Sequence, residues 1–118
     1  MTERPDPFRF SIRIKVGDTK TLGPGKIALL EGIARQGSIA AAAREMAMSY
    51  RRAWLLIDDL NHAFHKPLVE TAPGERQGSR LTRLGRQVIA DYRMIEAKAE
   101  AACRREIAGL KKALVRRD

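Results

Sequence analysis

The stretch from Gly37 to Phe64, GSIAAAAREMAMSYRRAWLLIDDLNHAF, constrains the fold more than any other part of the chain. Ser38 and Ser49 each stand before a run whose apolar residues recur at helical spacing. A serine there accepts a hydrogen bond from a first-turn amide that has no partner inside its own helix. The spacing predicts two helices, 38–46 and 49–64, joined by a turn of about three residues. In the first, Ile39, Ala42, Ala43 and Met46 share one face; in the second, Tyr50, Ala53, Trp54, Ile57, Leu60 and Phe64 do. Ser49, Arg51, Arg52 and Leu55 face elsewhere. A short helix, a tight turn and a longer helix with arginines in its exposed first turn form the layout of a helix-turn-helix, whose second helix enters a DNA major groove by its N-terminal end.

The flanking segments supply what such a pair of helices packs against. From Phe8 to Val16, FRFSIRIKV alternates apolar and polar residues strictly, which predicts a half-buried strand over 8–16. That strand has to pair either with a later hairpin or with its own copy in a second chain, and Ile12 and Ile14 are its dimerisation candidates. Gly17-Asp18 signals a turn, and the loop that follows runs to Gly23-Pro24-Gly25, where proline suits the first turn of a helix. Ile27, Leu30, Ile33 and Ala34 give that helix, over about 25–36, its inner stripe, and Gly37 caps it in a left-handed conformation.

After Phe64 the period changes. Pro67 ends helical structure, Leu68 to Thr71 reads as a short strand, and Ser79 to Thr82 reads as the return strand. Two strands around a glycine-bearing tip make a hairpin over 68–82, and a hairpin directly after a recognition helix is the wing of a winged helix. Arg76 at the tip and Arg80 on the return strand are placed to lie over phosphates or near a minor groove; their alternative is plain solvation.

Thr82 caps the last predicted helix, 83–118, in which Val88, Tyr92, Ile95, Ala99, Ala102 or Cys103, Ile107, Leu110 and Leu114 recur at steps of three and four. A helix this long outruns so small a core, and a narrow apolar seam on a projecting helix calls for another helix to cover it. A second copy is the simplest cover, with Val88, Tyr92, Ile95, Ala99 and Ile107 in the seam. The seam slips near Cys103, and Gly109 weakens the helix by about 1 kcal/mol, so its end is expected to fray. The expected organisation is a flexible 1–7, a winged helix-turn-helix over 8–82 and a dimerisation helix over 83–118, mostly α with a small β component.

Composition narrows the function. Lysine and arginine number 23 against 14 acids, a net charge of +9 with a pI near 10.4, and nucleic acid is the commonest partner of so basic a chain. The basic residues are scattered among apolar stripes rather than gathered in one polybasic tract, which argues against a membrane surface. MTERPDPFRF contains no apolar leader, and a cytoplasmic location is expected. Cys103 is expected to be a small buried hydrophobe. His62 and His65 lie three apart with no acid or cysteine pattern to complete a metal site, and Asp58-Asp59 point about 100 degrees apart on a helix, so neither pair suggests metal binding or catalysis. No phosphate loop, nucleophile elbow or zinc spacing occurs, and no enzymatic activity is expected. Trp54 is assigned to the core; Tyr50 stays open between core and DNA contact.

Gly37-Ser38-Ile39, Ser49-Tyr50-Arg51, Ala53-Trp54 and Leu81-Thr82-Arg83-x-Gly85, with LVE and a glycine-bearing wing between them, together resemble the N-terminal DNA-binding domain of ModE-type molybdate-responsive regulators, a winged helix related to the LysR type. The resemblance covers about residues 8 to 105. It implies that the leading strand and long helix build a dimer, that Ser49, Tyr50, Arg51 and Arg52 begin the recognition helix, and that Gly74 to Arg80 form the wing. Ala47 stands where that family usually has glycine, at a cost of about 1 kcal/mol if the turn is left-handed there. The family's regulators carry molybdate-binding domains after the long helix, whereas this sequence stops at Asp118, so molybdate is not expected to bind and a separate effector-sensing protein is an alternative partner.

These readings converge on a dimeric transcription regulator that reads an inverted repeat in double-stranded DNA, with Ser38, Ser49, Tyr50, Arg51, Arg52, Arg76 and Arg80 as candidate contacts. The alternatives are an architectural protein of low sequence preference and the DNA-binding half of a two-protein sensor.

Overall fold

The computed structural model describes residues 8–17, 20–71 and 78–115. The predicted 1–7 segment, the wing tip with Arg76 and the last three residues lie outside the described residues. The leading strand is shorter than its alternation suggests: β1 covers Ile14–Val16 and pairs antiparallel with β2, Lys20–Leu22, in the register Ile14 opposite Leu22. One edge of β1 is therefore taken by the next segment of the same chain, in a stretch expected to be loop, and not by a later hairpin. The ladder stops because the residues that would continue β2 are Gly23 and Pro24, and Pro24 begins α1 (Pro24–Gln36). The alternating burial still runs from Phe8 to Val16, and Ile12 and Ile14 pack half-buried against their own core. The Ile12 carbonyl accepts a hydrogen bond from the Tyr92 hydroxyl at 2.8 Å.

Gly37 closes α1 at φ 70°, its amide donating to the Ile33 carbonyl at 2.8 Å. α1 buries Ile27, Leu29, Leu30, Gly32 and Ile33, while Ala34 is exposed. Helices α2 (Ile39–Glu45) and α3 (Tyr50–Ala63) are capped as their serines predict: Ser38 Oγ accepts from the Ala41 amide and Ser49 Oγ from the Arg52 amide, both at 3.1 Å. Between them Ala47 adopts φ 54°, a conformation that favours glycine. We expect Ala47→Gly to raise stability by about 0.5–1 kcal/mol, because relief of the left-handed alanine exceeds the added freedom of the unfolded chain. Thermal denaturation checks this; a midpoint that falls would show that alanine is unstrained at this turn.

The hairpin pairs β3 (Val69–Thr71) with β4 (Ser79–Leu81), Val69 opposite Leu81. Asn61 of α3 fixes its root, accepting from the Leu68 and Val69 amides at 2.9 and 3.1 Å and donating to the Val69 carbonyl at 3.1 Å. The Ser79 amide donates to the Gly37 carbonyl at 2.9 Å, so β4 is tied to the turn that opens α2. Thr82 caps α4 through the Gly85 amide at 3.0 Å.

The predicted single C-terminal helix is two: α4 (Arg83–Ala102) and α5 (Arg104–Ala113), interrupted at Cys103 with φ −102° and ψ 16°. The interruption falls where the apolar repeat slips. Cys103 is exposed rather than buried. Val88 and Tyr92, expected in a seam between two copies, are buried in the core of a single chain. Arg93 then clamps α4 to α1, bonding Glu31 through two nitrogens at 2.6 and 3.1 Å and Glu96 at 2.8 Å. These bonds, that to Glu31 first, hold its guanidinium more firmly protonated than usual.

Candidate nucleic-acid interface

Helix α3 is inserted into the core by Ala53, Ile57 and Leu60, and each of the two large side chains contributes roughly 1.5–3 kcal/mol by leaving water. That anchoring face turns the first turn outward. Ser49, Tyr50, Arg51 and Arg52 are all exposed, and among the described residues neither arginine pairs with a carboxylate. The acids of α3 lie further along: Asp59 takes Lys20 of β2 at 2.9 Å and Asp58 lies beside His62 at 3.5 Å. The helix is thus cationic only at its N-terminal end, the end whose amides also favour anions. Glu45, at the close of α2, is held by Gln36 at 2.9 Å and by Arg35. The Gln36 bond and then Arg35 keep its carboxyl below the ordinary carboxylate range.

Two aromatic side chains depart from the expected stripe. Tyr50 is 55% exposed and Trp54, assigned to the core from its spacing, is 47% exposed. They face a cleft of about 390 Å³ shared with Ser38, Ile39 and Ala40 of the α2 start and Thr71 and Ser79 of the hairpin. Apart from Ile39 and the two aromatics, the described residues that line it are small.

The structure therefore brings Ser38 and Tyr50 to one cleft, places Ser49, Arg51 and Arg52 on the outward first turn beside it, and sets Arg80 on the hairpin. Arg80 bonds Glu70 at 3.0 Å on an open surface, where such a pair contributes about 0–1 kcal/mol and yields readily to a phosphate. Trp54, Thr71 and Ser79, which also line the cleft, are not among the contacts the sequence suggests. The tryptophan sits on the apolar period, and nothing in a single sequence marks which edge of a stripe stays uncovered. Of the predicted seam, Ile95 is 48% exposed beside Met94 at 56%, and Ala99 and Ile107 are half-buried.

Comparison with known proteins agrees with this architecture. Residues 25–86 match the family described as bacterial regulatory helix-turn-helix protein, lysR family. The chain is 41% identical over 92 residues to the molybdenum-pterin-binding protein MopA of Rhodobacter capsulatus, covering 76% of this chain and 35% of that protein. It is 41% identical over 96 residues to the molybdenum transport protein ModE of Azotobacter vinelandii, covering 80% and 35%. To the DNA-binding transcriptional dual regulator ModE of Escherichia coli K12 it is 38% identical over 74 residues, 61% of this chain and 28% of that one. The chain thus spans about a third of the length of the curated relatives it matches. The solved CbnR_DBD–DNA complex contains a chain of the same fold, with a TM-score of 0.57, 23% identity, and coverage of 73% of this chain and 95% of that one.

Proposed function

The chain belongs to the lysR family of bacterial regulatory helix-turn-helix proteins, and from that premise we propose that it is a dimeric, sequence-specific DNA-binding transcription regulator. The observation that carries the reading is the outward Arg51-Arg52 turn, without a carboxylate partner among the described residues, at the only cationic end of α3. An arginine fork there can grip both acceptors of a guanine edge, while Ser49 and the α3 amides take phosphate. Arg80, with Arg76 beyond the described residues, would meet backbone phosphates beside the groove.

The dimer is proposed through α4 and α5. Met94, Ile95 and Leu110 on the C-terminal helices, with Leu114 just after α5, are exposed apolar side chains, and a second copy would cover the stripe from Ile95 through Ala99 to Ile107. Val88 and Tyr92 have no part in it, being already buried. Molybdenum-pterin binding and molybdenum transport belong to the names of longer relatives and are not part of the proposal.

Titration of a labelled duplex against salt tests the reading. Affinity should fall steeply and linearly on logarithmic axes, and a preferred sequence should bind at least about a thousandfold more tightly than random duplex. A ratio near one would make the protein architectural and would sink the regulatory reading.

A further inference from the structure

We propose that the cleft between α3 and the hairpin is a seat for one sugar-phosphate unit of the duplex, and that Trp54 is a DNA contact. This rests on the proposed function and adds a site to it. The cleft holds about 390 Å³ and is lined by Ser38, Ile39, Ala40, Tyr50, Trp54, Thr71 and Ser79. It opens beside the Arg51-Arg52 turn, so a groove wall that received α3 would bring backbone against it.

Its chemistry suits that occupant. Among the described residues the lining contains hydroxyls and an indole N–H but no charged side chain, and it has an exposed aromatic floor. Trp54 and Tyr50 stand one helical turn apart. Two of the hydroxyls, Ser79 and Thr71, lie 3.4 Å from each other at the hairpin root, and Ser38 keeps its hydroxyl proton while its oxygen accepts from Ala41. Neutral hydroxyl and N–H donors commonly bind phosphate oxygens, and an aromatic face packs on the apolar side of a sugar. A large exposed indole at the junction of three elements is otherwise unexplained: it fills no part of the core, and 47% of its surface remains open to solvent.

Trp54 is the sole tryptophan of the chain, so its fluorescence reports on this cleft alone. Quenching by acrylamide should be efficient in the free protein and strongly reduced at saturating duplex, with saturation judged independently from the anisotropy of labelled DNA. Trp54→Ala should weaken duplex binding about tenfold, uniformly across sequences, as loss of a hydrogen bond to a charged group predicts. It should leave the slope of log affinity against log salt unchanged, because no counterion-releasing charge is lost. Trp54→Phe, which keeps the ring and lacks the N–H, should fall between, and both variants should melt near the parent temperature because no core volume is removed.

Unchanged quenching on a fully bound duplex would overturn this inference and leave the proposed function standing. So would protection of Trp54 that depends on protein concentration without DNA, since the cleft would then be covered by another copy. Absence of any duplex binding in the anisotropy channel would overturn both.

Discussion

Gly85→Ala should lower stability by about 3 kcal/mol, the upper end of what an overpacked site usually costs, and the melting temperature by roughly 10–20 °C. A Cβ at Gly85 would lie 2.2 Å from the Leu68 carbonyl oxygen and 3.3 Å from its Cα. That backbone cannot retreat. The Leu68 oxygen accepts from the Thr82 amide at 2.9 Å, and the Leu68 amide donates to Asn61 at 2.9 Å, so moving it breaks the α4 cap on one side and the hairpin root on the other. Gly109→Ala is the control. Nothing lies within 4 Å of its would-be Cβ on α5, and alanine there should raise local helicity by up to about 1 kcal/mol. The same chemical change thus has opposite signs at two helical glycines. Equal melting temperatures for the parent and Gly85→Ala would refute the packing of α4 on the hairpin.

Arg51→Ala should reduce affinity for a preferred duplex by about 1–3 kcal/mol and relax the preference at one base pair of each half-site. The contrast is Arg80→Ala on the hairpin, which should weaken all duplexes alike and lower the salt slope by about one. The two arginines differ in their surroundings. Among the described residues Arg51, on the exposed first turn of α3, has no carboxylate partner, whereas Arg80 is paired with Glu70. Selection of binding sites by each variant, analysed base by base, separates readout from attraction. If Arg51→Ala weakened every sequence equally, Arg51 would be a phosphate contact and the specificity would have to come from Arg52 or Tyr50.

The parts of this fold that local chemistry determines were legible in the sequence. Ser38, Ser49 and Thr82 cap the helices that follow them and Gly37 takes the left-handed turn, because each conformation depends on atoms within four residues; the left-handed conformation of Ala47 is raised only by the family resemblance. What periodicity cannot say is where a core ends. The stripe through Val88, Tyr92, Ile95 and Ala99 is one continuous row, yet its first two members are covered by the chain itself and Ile95 is not. The same limit put Trp54 inside, although 47% of its surface is exposed at the cleft between α3 and the hairpin. β2 was hidden because Lys20-Thr21-Leu22 is too brief to show alternation, and it is visible only as the partner of β1. Asn61 gave no signal either; its two hydrogen-bonding ends matter only once the hairpin root has folded against α3.

The central claim is that two copies joined along α4 and α5 offer their Arg51-Arg52 turns to the same face of a duplex. Sequencing the fragments that purified protein selects from random duplex DNA tests it most directly. The account predicts an inverted repeat whose half-sites are centred about one helical turn apart, or a multiple of it. Enrichment of a single, unrepeated half-site, or of no sequence at all, would contradict it.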